Sequence, residues 1–473
     1  MRLQEVSFMH KIGMRVHGYK HPPKKIEKDL TQGPLLKQII LYSIPLVLTN
    51  VLLHVFKTAD IAVLGIFVGD RAVAAVGSTA SLISLLVMFF VGISVGVNVV
   101  VSKSIGEHNE ESLLKTIGMS VPMSLIFGAI LIVMGQIFSR PLLEIMDCDP
   151  NVIDLAEKYL QVYFWGVPLV VLYNFMSAIM RASGDTVRPL IYLIIGGVLN
   201  VGLNLFFVLV LGKDVEGVAI ATVASQGVSA LLCIISLVKA KGAVRLRARY
   251  MRFFKKEFID VLKIGLPSGI QSSLFSISNV ILQSATNAFG EYAMAGSSYA
   301  SEIDVYIYAC MNSIAVAIMS FISQNYGARN FERVKKSIIY AGFINVILGL
   351  VIGAMVALLG SPIIRLLTDQ EEVISYFTTR NIIMGLTYFL CGIMEVLSYS
   401  VRGLGKSIAS MIITLIGACL FRIVWVFAVV NLTGDFAMIW WSYTVSWSFT
   451  IIMFIPVILK LIKKLKADQP IEE

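Results

Sequence analysis

The feature that most constrains this chain is a series of long apolar stretches, each long enough to cross a lipid bilayer. A transmembrane helix needs about 20 mostly apolar residues. Twelve such stretches follow one another, with approximate bounds 35–67, 73–102, 113–138, 152–180, 189–212, 215–238, 258–288, 292–324, 334–359, 372–401, 407–431 and 436–462. We therefore predict an all-α membrane protein with twelve transmembrane helices.

The composition agrees with a chain that is embedded in lipid. Of its 473 residues, 57% are hydrophobic and 15% are charged, whereas a soluble domain carries about 25% charged residues. Twelve spans use about 39 residues each, which is enough for a helix and a short connection. A large soluble domain is not expected, and the lipid bilayer is the predicted environment of most of the chain.

Cysteines and histidines show no pattern of a metal site or of a disulfide framework. The five cysteines lie far apart, at Cys148, Cys233, Cys310, Cys391 and Cys419. All five histidines lie in the first quarter of the chain, so no ligand set for a catalytic metal is visible. No nucleophile and base are spaced as a catalytic pair, and no glycine-rich phosphate loop is present. We predict a protein that is not an enzyme, has no cofactor and does not use ATP.

Basic residues are concentrated at the chain ends and in the connection between the sixth and seventh stretches. This linker, 239–257, carries eight lysines and arginines. Cytoplasmic loops collect Lys and Arg, so the linker, a disordered N-terminal tail at 1–33 and a C-terminal tail at 463–473 are placed in the cytoplasm. The N-terminal tail lacks the apolar core of a signal peptide. The net charge of +9 is thus a topology signal, and nucleic-acid binding is not expected.

The two halves of the chain, 34–238 and 258–462, repeat each other. Matching positions lie 221 or 222 residues apart: Pro45 with Pro267, Gly106 with Gly327, Pro141 with Pro362, and Gly184 with Gly405. Each half has an even number of spans, so the two six-helix lobes are predicted to be parallel repeats around an axis along the membrane normal. A solute path between the lobes follows from this arrangement.

Several short motifs are shared with one transporter family. They are Ser43-Ile44-Pro45, Ala59-Asp60 five residues before Gly65, Gln324 to Ala328, Arg181 to Gly184, and Arg402 to Gly405. From about residue 33 to 466 the chain resembles the bacterial multidrug and toxic compound extrusion (MATE) transporters. The resemblance implies a V-shaped pair of lobes in the cell's inner (plasma) membrane, with both termini cytoplasmic. It also implies antiport of organic, mostly cationic and amphipathic small molecules against H⁺ or Na⁺, and we expect a monomer.

One carboxylate lies inside the first apolar stretch, and this makes Asp60 the first candidate for ion coupling. Such a group costs about 2.5–3.5 kcal/mol on insertion scales. By the resemblance, Asp60 matches the acid of the family's N-terminal cation site, and Asn200, Asn204 and Thr222 match its other polar positions. The alternatives for Asp60 are an ion pair with Lys57 three residues earlier and a position near the outer surface. The alternative for the two amides is hydrogen bonding between helices.

The choice of ion depends on Asn204, a position that often carries a second carboxylate in the family's sodium sites. A hard cation needs several oxygen ligands, which the two amides, the threonine and Asp60 could supply. With one carboxylate instead of two, Na⁺ binding is expected to be weaker. Protonation of Asp60 is then an equal alternative, with a slight preference for H⁺.

Polar side chains of the second half mark the predicted substrate-binding positions. The seventh stretch carries a polar stripe that is predicted to line the central cleft, formed by Gln271, Ser278, Asn279 and Gln283. Asp304, which matches a family acid, and Glu395 could attract a cationic ligand. Helix packing is the alternative for the stripe, Glu395 could instead pair with Arg422, and Glu302 could lie in the outer interface.

Two other functions compete with multidrug antiport. A flippase of lipid-linked precursors, from the same superfamily, would translocate a diphosphate headgroup and favour arginines in its cavity. By position, Arg422 is the only arginine expected deep in a span, and twelve helices rather than about fourteen also disfavour a flippase. An intramembrane enzyme would need a nucleophile and base or a metal cluster, for which no spacing is present.

Overall fold

Twelve long helices make up most of the computed structural model, which describes residues 29–146 and 148–467 and contains no strand in that part. In chain order they are α1 Leu35–Phe67, α2 Asp70–Gly106, α3 Glu110–Ile145, α4 Ile153–Ala182, α5 Val187–Val210, α6 Val215–Lys239, α7 Lys255–Asn287, α8 Glu291–Gly327, α9 Phe331–Ile364, α10 Glu371–Gly403, α11 Ser407–Thr433 and α12 Ala437–Ala467. The predicted all-α fold is therefore confirmed.

Among the described residues, 11 of these helices are long and apolar enough to cross a membrane. The remaining one, α7, has 33 residues and is the most polar. Its interior includes Gln271, Ser272, Ser273, Ser276 and Ser278. Because α7 packs against α2 on one side and α11 on another, part of its polar surface faces protein instead of lipid.

The backbone repeats with the same offset as the sequence. Eight of the nine described residues with a positive φ occur in matched pairs: Gly69 and Gly290 (φ 115° and 95°), His108 and Arg329 (53° and 56°), Gly184 and Gly405 (90° and 76°), and Gly212 and Gly434 (58° and 61°). A positive φ is uncommon outside glycine, so its occurrence at both His108 and Arg329 indicates two copies of one loop. The side chains of the next residues, Asn109 and Asn330, cap the following helices. Each Oδ1 accepts a hydrogen bond from the backbone N–H three residues later, at 3.0 and 3.2 Å.

The two halves meet at a junction between the end of α2 and the end of α8, at the matched glycines Gly106 and Gly327. A Cβ on Gly106 would overlap the carbonyl oxygen of Gln324, and one on Gly327 would overlap that of Lys103. Each half also packs into the core of the other. The first half of α1 contributes Tyr42 to the apolar core of the second half, and the beginning of α7 contributes Val261 to the core of the first. The lobes are thus joined by crossed, symmetric contacts.

The residues that precede α1 bind at this same junction. The Leu30 N–H donates to Gln324 Oε1 at 3.2 Å, and the Leu30 carbonyl accepts from Arg333 Nε at 3.1 Å. The prediction of a disordered tail up to residue 33 is therefore wrong for 29–33, because hydrogen bonds to the second half hold this segment. The remainder of that predicted tail, 1–28, lies outside the described residues.

Candidate functional site

Four polar side chains of the first half converge beside the second half of α1. Asn204 Nδ2 donates to Asp60 Oδ1 at 2.5 Å, and Thr222 Oγ1 lies 3.3 Å from Asp60 Oδ2. Asn200 contacts both of the others, since its Nδ2 lies 3.4 Å from Thr222 Oγ1 and its Oδ1 lies 3.5 Å from Asn204 Nδ2. We call these four residues the Asp60 cluster. The structure brings together all four predicted positions, while their role in ion coupling stays a prediction.

Glycines explain how three helices approach closely enough to form the cluster. A Cβ on Gly197 would overlap the ring of Phe56 in α1, and a Cβ on Gly196 would overlap the Ser229 hydroxyl in α6. These two glycines precede Asn200 by one turn, so α5 packs tightly against both neighbours just where the amides begin. Immediately after Asn204 the helix widens into a π-turn over Phe206–Val210. Such turns are often found at functional sites.

The Asp60 side chain is half-buried, with Asn204 Nδ2 at one carboxylate oxygen and Thr222 Oγ1 at the other. The Asn204 amide is completely buried, and its Oδ1 has no hydrogen-bond partner among the described residues. Lys57, the predicted alternative partner, has an exposed side chain. Tyr159 and Tyr163 of α4 lie close enough to interact electrostatically with Asp60. Sequence reasoning missed both tyrosines, because they belong to a different helix and to no shared motif.

In the second half, Asp304 is engaged in a buried ion pair. Arg380 Nη2 lies 2.6 Å from Asp304 Oδ2, the Arg380 guanidinium lies 4.0 Å from the centre of the Trp440 ring, and its Nη1 donates to the Ser297 carbonyl at 2.7 Å. The expectation that Arg422 is the only deep arginine is therefore wrong, since Arg380 is only 7% exposed. A compensated carboxylate attracts a cationic ligand less, and substrate binding by Asp304 stays a prediction.

Glu395 lies in a network of tyrosines rather than against Arg422. Tyr308 OH donates to Glu395 Oε1 at 3.4 Å, and Asn312 Nδ2 lies 3.3 Å from Tyr308 OH and 3.4 Å from Tyr399 OH. Tyr308 is 42% exposed while Glu395 is buried, so the tyrosine connects the carboxylate to the surface of its lobe. The sequence offered no signal for this network beyond the i, i+4 spacing of its members on two helices.

The predicted polar stripe on α7 is divided between two faces. Gln271 and Ser278 are buried, and Gln271 Oε1 and Ser278 Oγ have no hydrogen-bond partner in the described chain. Asn279 and Gln283 are exposed, and Gln283 Nε2 donates to Asn287 Oδ1 at 2.9 Å. The four positions thus differ in burial, and their role in lining the central cleft and binding substrate stays a prediction.

Comparison with known proteins places the chain in a family. The sequence model of the MatE family matches residues 45–206 and 267–428, one match in each half and together more than half of the chain. The chain is 28% identical over 407 residues to "Probable multidrug resistance protein YoeA" of Bacillus subtilis (strain 168), covering 82% of this chain and 87% of that protein. It is 22% identical over 454 residues to "Multidrug export protein MepA" of Staphylococcus aureus (strain MSSA476), covering 92% and 96%.

Solved structures share the fold. One, described as "Outward-facing conformation of a multidrug resistance MATE family transporter of the MOP superfamily", superposes with a TM-score of 0.87 at 24% identity, covering 94% of this chain and 100% of that chain. A MOP superfamily transporter from Pyrococcus furiosus Vc1 (DSM3638) has the same TM-score, identity and coverage. With both halves matched and the twelve-helix architecture shared, the chain belongs to the MatE family of multi-pass membrane transporters and is not an enzyme.

Proposed function

We propose that this protein exports small organic compounds across the plasma membrane by alternating access, in exchange for H⁺ or Na⁺. The observation that carries the proposal is the Asp60 cluster, a single intramembrane carboxylate held by the two amides and the threonine. The substrates that we propose are cationic and amphipathic, and the names of the curated relatives support drug-like compounds. The concentration of basic residues in 239–257 supports a cytoplasmic position for both termini.

The geometry of the cluster supports coupling to a small cation. With Asp60 charged, the buried Asn204 Oδ1 has no donor among the described residues, and an unsatisfied buried polar atom is costly. A proton on Asp60 Oδ2 would allow the carboxyl group and the Asn204 amide to form two complementary hydrogen bonds. A Na⁺ ion would instead use the carboxylate and the amide oxygens as ligands. Because a proton needs no second carboxylate, H⁺ is the ion that we favour.

The position of Asp60 on α1 supports a link between ion binding and the change of access. The same helix contacts the second half through Asn50, whose Nδ2 donates to Ser313 Oγ at 2.9 Å, and through the edge of Tyr42 against Phe321, with ring centres 5.4 Å apart. A ligand shifts a two-state equilibrium only by its different affinity for the two states. Neutralising Asp60 changes the interactions of α1 with α5 and α6. Because α1 also contacts the second half, the same change shifts the balance between the inward-open and outward-open conformations.

The test is export of ethidium by the purified full chain in liposomes, driven by an imposed pH or Na⁺ gradient. Asp60→Asn should insert and fold but lose gradient-driven export. Asp70→Asn, an exposed acid at the start of α2, is the matched control and should export at the wild-type rate. Wild-type export by Asp60→Asn would remove the basis of the proposal. Loss of transport on removal of Na⁺ at constant pH gradient would overturn the preference for H⁺.

A further inference from the structure

The Asp60 cluster has a counterpart in the second half, which the repeat identifies. At an offset of 222, Gly212 corresponds to Gly434, both with a left-handed backbone, and Pro45 of α1 corresponds to Pro267 of α7. In α6 and α12 the offset is 221, because Ser229, which meets Gly196, corresponds to Thr450, which meets Gly417. Thr222 therefore corresponds to Tyr443. At the offset of 222, the other three positions of the cluster have these partners: Asn200 with Arg422, Asn204 with Val426, and Asp60 with Leu282.

The exchange of residues reverses the charge of the site. The first half has a carboxylate at Asp60, where the second half has the buried, apolar Leu282. The first half has a neutral amide at Asn200, where the second half has the guanidinium of Arg422. The site as a whole therefore carries a negative charge in the first lobe, at Asp60, and a positive charge in the second lobe, at Arg422.

Arg422 is held in an aromatic enclosure with unused hydrogen-bonding capacity. It is 1% exposed, and its guanidinium carbon lies 4.0 Å from the centre of the Tyr443 ring and 5.7 Å from the centres of the Phe275 and Trp447 rings. Nε donates to Ser446 Oγ at 2.8 Å, whereas Nη2 is buried without a partner among the described residues. Aromatic faces stabilise a cation, but they do not satisfy an N–H donor.

Acidic residues nearby do not balance this charge. Among Asp, Glu, Lys and Arg, the buried side chains in the described part of α8–α12 are the three arginines Arg380, Arg402 and Arg422 and the two acids Asp304 and Glu395. Asp304 is paired with Arg380, so Glu395 is the one remaining buried acid of these helices for both Arg402 and Arg422. One positive charge is in excess, and an unpaired buried charge is costly.

The helices around Arg422 also resemble those of the Asp60 cluster in their distortion. Arg422 lies in a short α-helical segment between two π-turns, Leu415–Leu420 and Val426–Val430, and a π-turn also follows Asn204. On the facing helix, Ser278 lies one turn from Phe275 on the same face, and its buried hydroxyl has no partner in the described residues. The Arg422 region thus combines a charged donor with aromatic walls.

We propose that Arg422 is the centre of an anion-binding site in the second lobe. The ligand is a monovalent anion, either an inorganic halide or the carboxylate group of an organic compound, because one positive charge is in excess. The guanidinium offers Nη2–H to the anion, and the rings of Tyr443, Phe275 and Trp447 exclude water. If the proposed antiport is correct, the two lobes bind ligands of opposite charge, and a zwitterionic substrate would satisfy both. The anion site itself does not depend on that function.

Binding is tested on the purified full chain in detergent, without transport, so that failure of the proposed antiport does not affect the result. One arm replaces sodium gluconate by sodium bromide at constant ionic strength and follows tryptophan fluorescence and the melting temperature, because bromide quenches a ring that it contacts. The other arm compares benzoate with benzamide, which has nearly the same shape and no charge. The variants are Arg422→Gln and Arg422→Lys, with Arg249→Gln in the exposed linker as the control.

We expect saturable quenching or stabilisation by bromide, by benzoate but not benzamide, or by both, and a loss of at least tenfold in affinity in Arg422→Gln. Arg422→Lys should retain part of the affinity, and Arg249→Gln all of it. A response to bromide alone identifies an inorganic halide as the ligand, and one to benzoate alone identifies a carboxylate. No saturable response in the wild type, or an equal response in Arg422→Gln, overturns the proposal.

If the Arg422 variants do not fold, a variant of the aromatic enclosure provides a second test of the site. Trp447→Phe keeps an aromatic wall but removes the tryptophan whose ring centre lies 5.7 Å from the Arg422 guanidinium carbon. If bromide is the ligand, it should still raise the melting temperature of this variant, while the saturable quenching falls. If benzoate is the ligand, it should still stabilise Trp447→Phe more than benzamide does. Unchanged bromide quenching, or the loss of the difference between benzoate and benzamide, overturns the proposal.

Discussion

Closure of the junction between the two halves should depend on the absence of a side chain at Gly106. A Cβ there would lie 2.9 Å from the backbone nitrogen of Ala328 and would overlap the Gln324 carbonyl oxygen. Gln324 cannot withdraw easily, because its side chain accepts from Leu30 N–H at 3.2 Å and donates to the Ala182 carbonyl at 2.6 Å. Gly106→Ala therefore forces the two halves apart at this point.

The shift in the equilibrium between the open and closed junction equals the free-energy cost that applies to the closed junction alone. Replacing glycine by alanine favours a helix by about 0.5–1 kcal/mol, but α2 is helical whether the junction is open or closed, so this gain cancels. Overpacking costs about 1–3 kcal/mol and applies only to the closed junction. The ratio of closed to open molecules should therefore fall about 5- to 150-fold, since 1.4 kcal/mol corresponds to a factor of ten in an equilibrium constant.

Spin-label distances between α3 and α9 measure this ratio directly. Labels on cysteines at Glu111 and Lys335, both exposed residues beyond the junction, should show a smaller short-distance population in Gly106→Ala than in wild type, in a background without the native cysteines. Gly77→Ala is the matched control, because it lies on the same helix and its Cβ would have no neighbour within 4 Å. An unchanged short-distance population in Gly106→Ala would refute the packing argument.

Two further predictions follow from contacts between the halves and within the second lobe. Arg333→Ala removes donors to the Leu30, Gly33 and Gln32 carbonyls, so amide exchange in 30–33 should become faster, whereas Lys335→Ala should leave it unchanged; equal protection in both variants would contradict the assignment. Asp304→Asn leaves Arg380 buried without its ion pair, so it should destabilise the fold by about 3–5 kcal/mol, measured as a fall in melting temperature. The double variant Asp304→Leu with Arg380→Met should recover part of that loss, and a single variant that melts like wild type would show that the pair contributes nothing.

The number and order of the helices could be predicted from the sequence because the bilayer imposes a simple rule. Each span must satisfy its own backbone hydrogen bonds and remain apolar over about 20 residues, which leaves a strong local signal. The repeat was visible for a similar reason, since Gly184 and Gly405 occupy matching left-handed turns that favour glycine. The Asp60 cluster could also be anticipated, from the shared motifs and from the four-residue spacing of Asn200 and Asn204, which places both amides on one helix face.

The partners of the remaining polar residues were decided only by the tertiary structure. Arg380 meets Asp304, Glu395 meets Tyr308, and residues 29–33 meet the second half, and none of these contacts has a local signal. The α7 stripe was divided because the rotation of a helix about its axis depends on how neighbouring helices pack, here on Gly265 and Gly269 against α2. Within a bilayer, apolar side chains are favourable against lipid and against protein alike, so hydrophobicity does not specify which face turns inward. Close packing at glycines and the pairing of buried charges supply that information, and both depend on residues far apart in the chain.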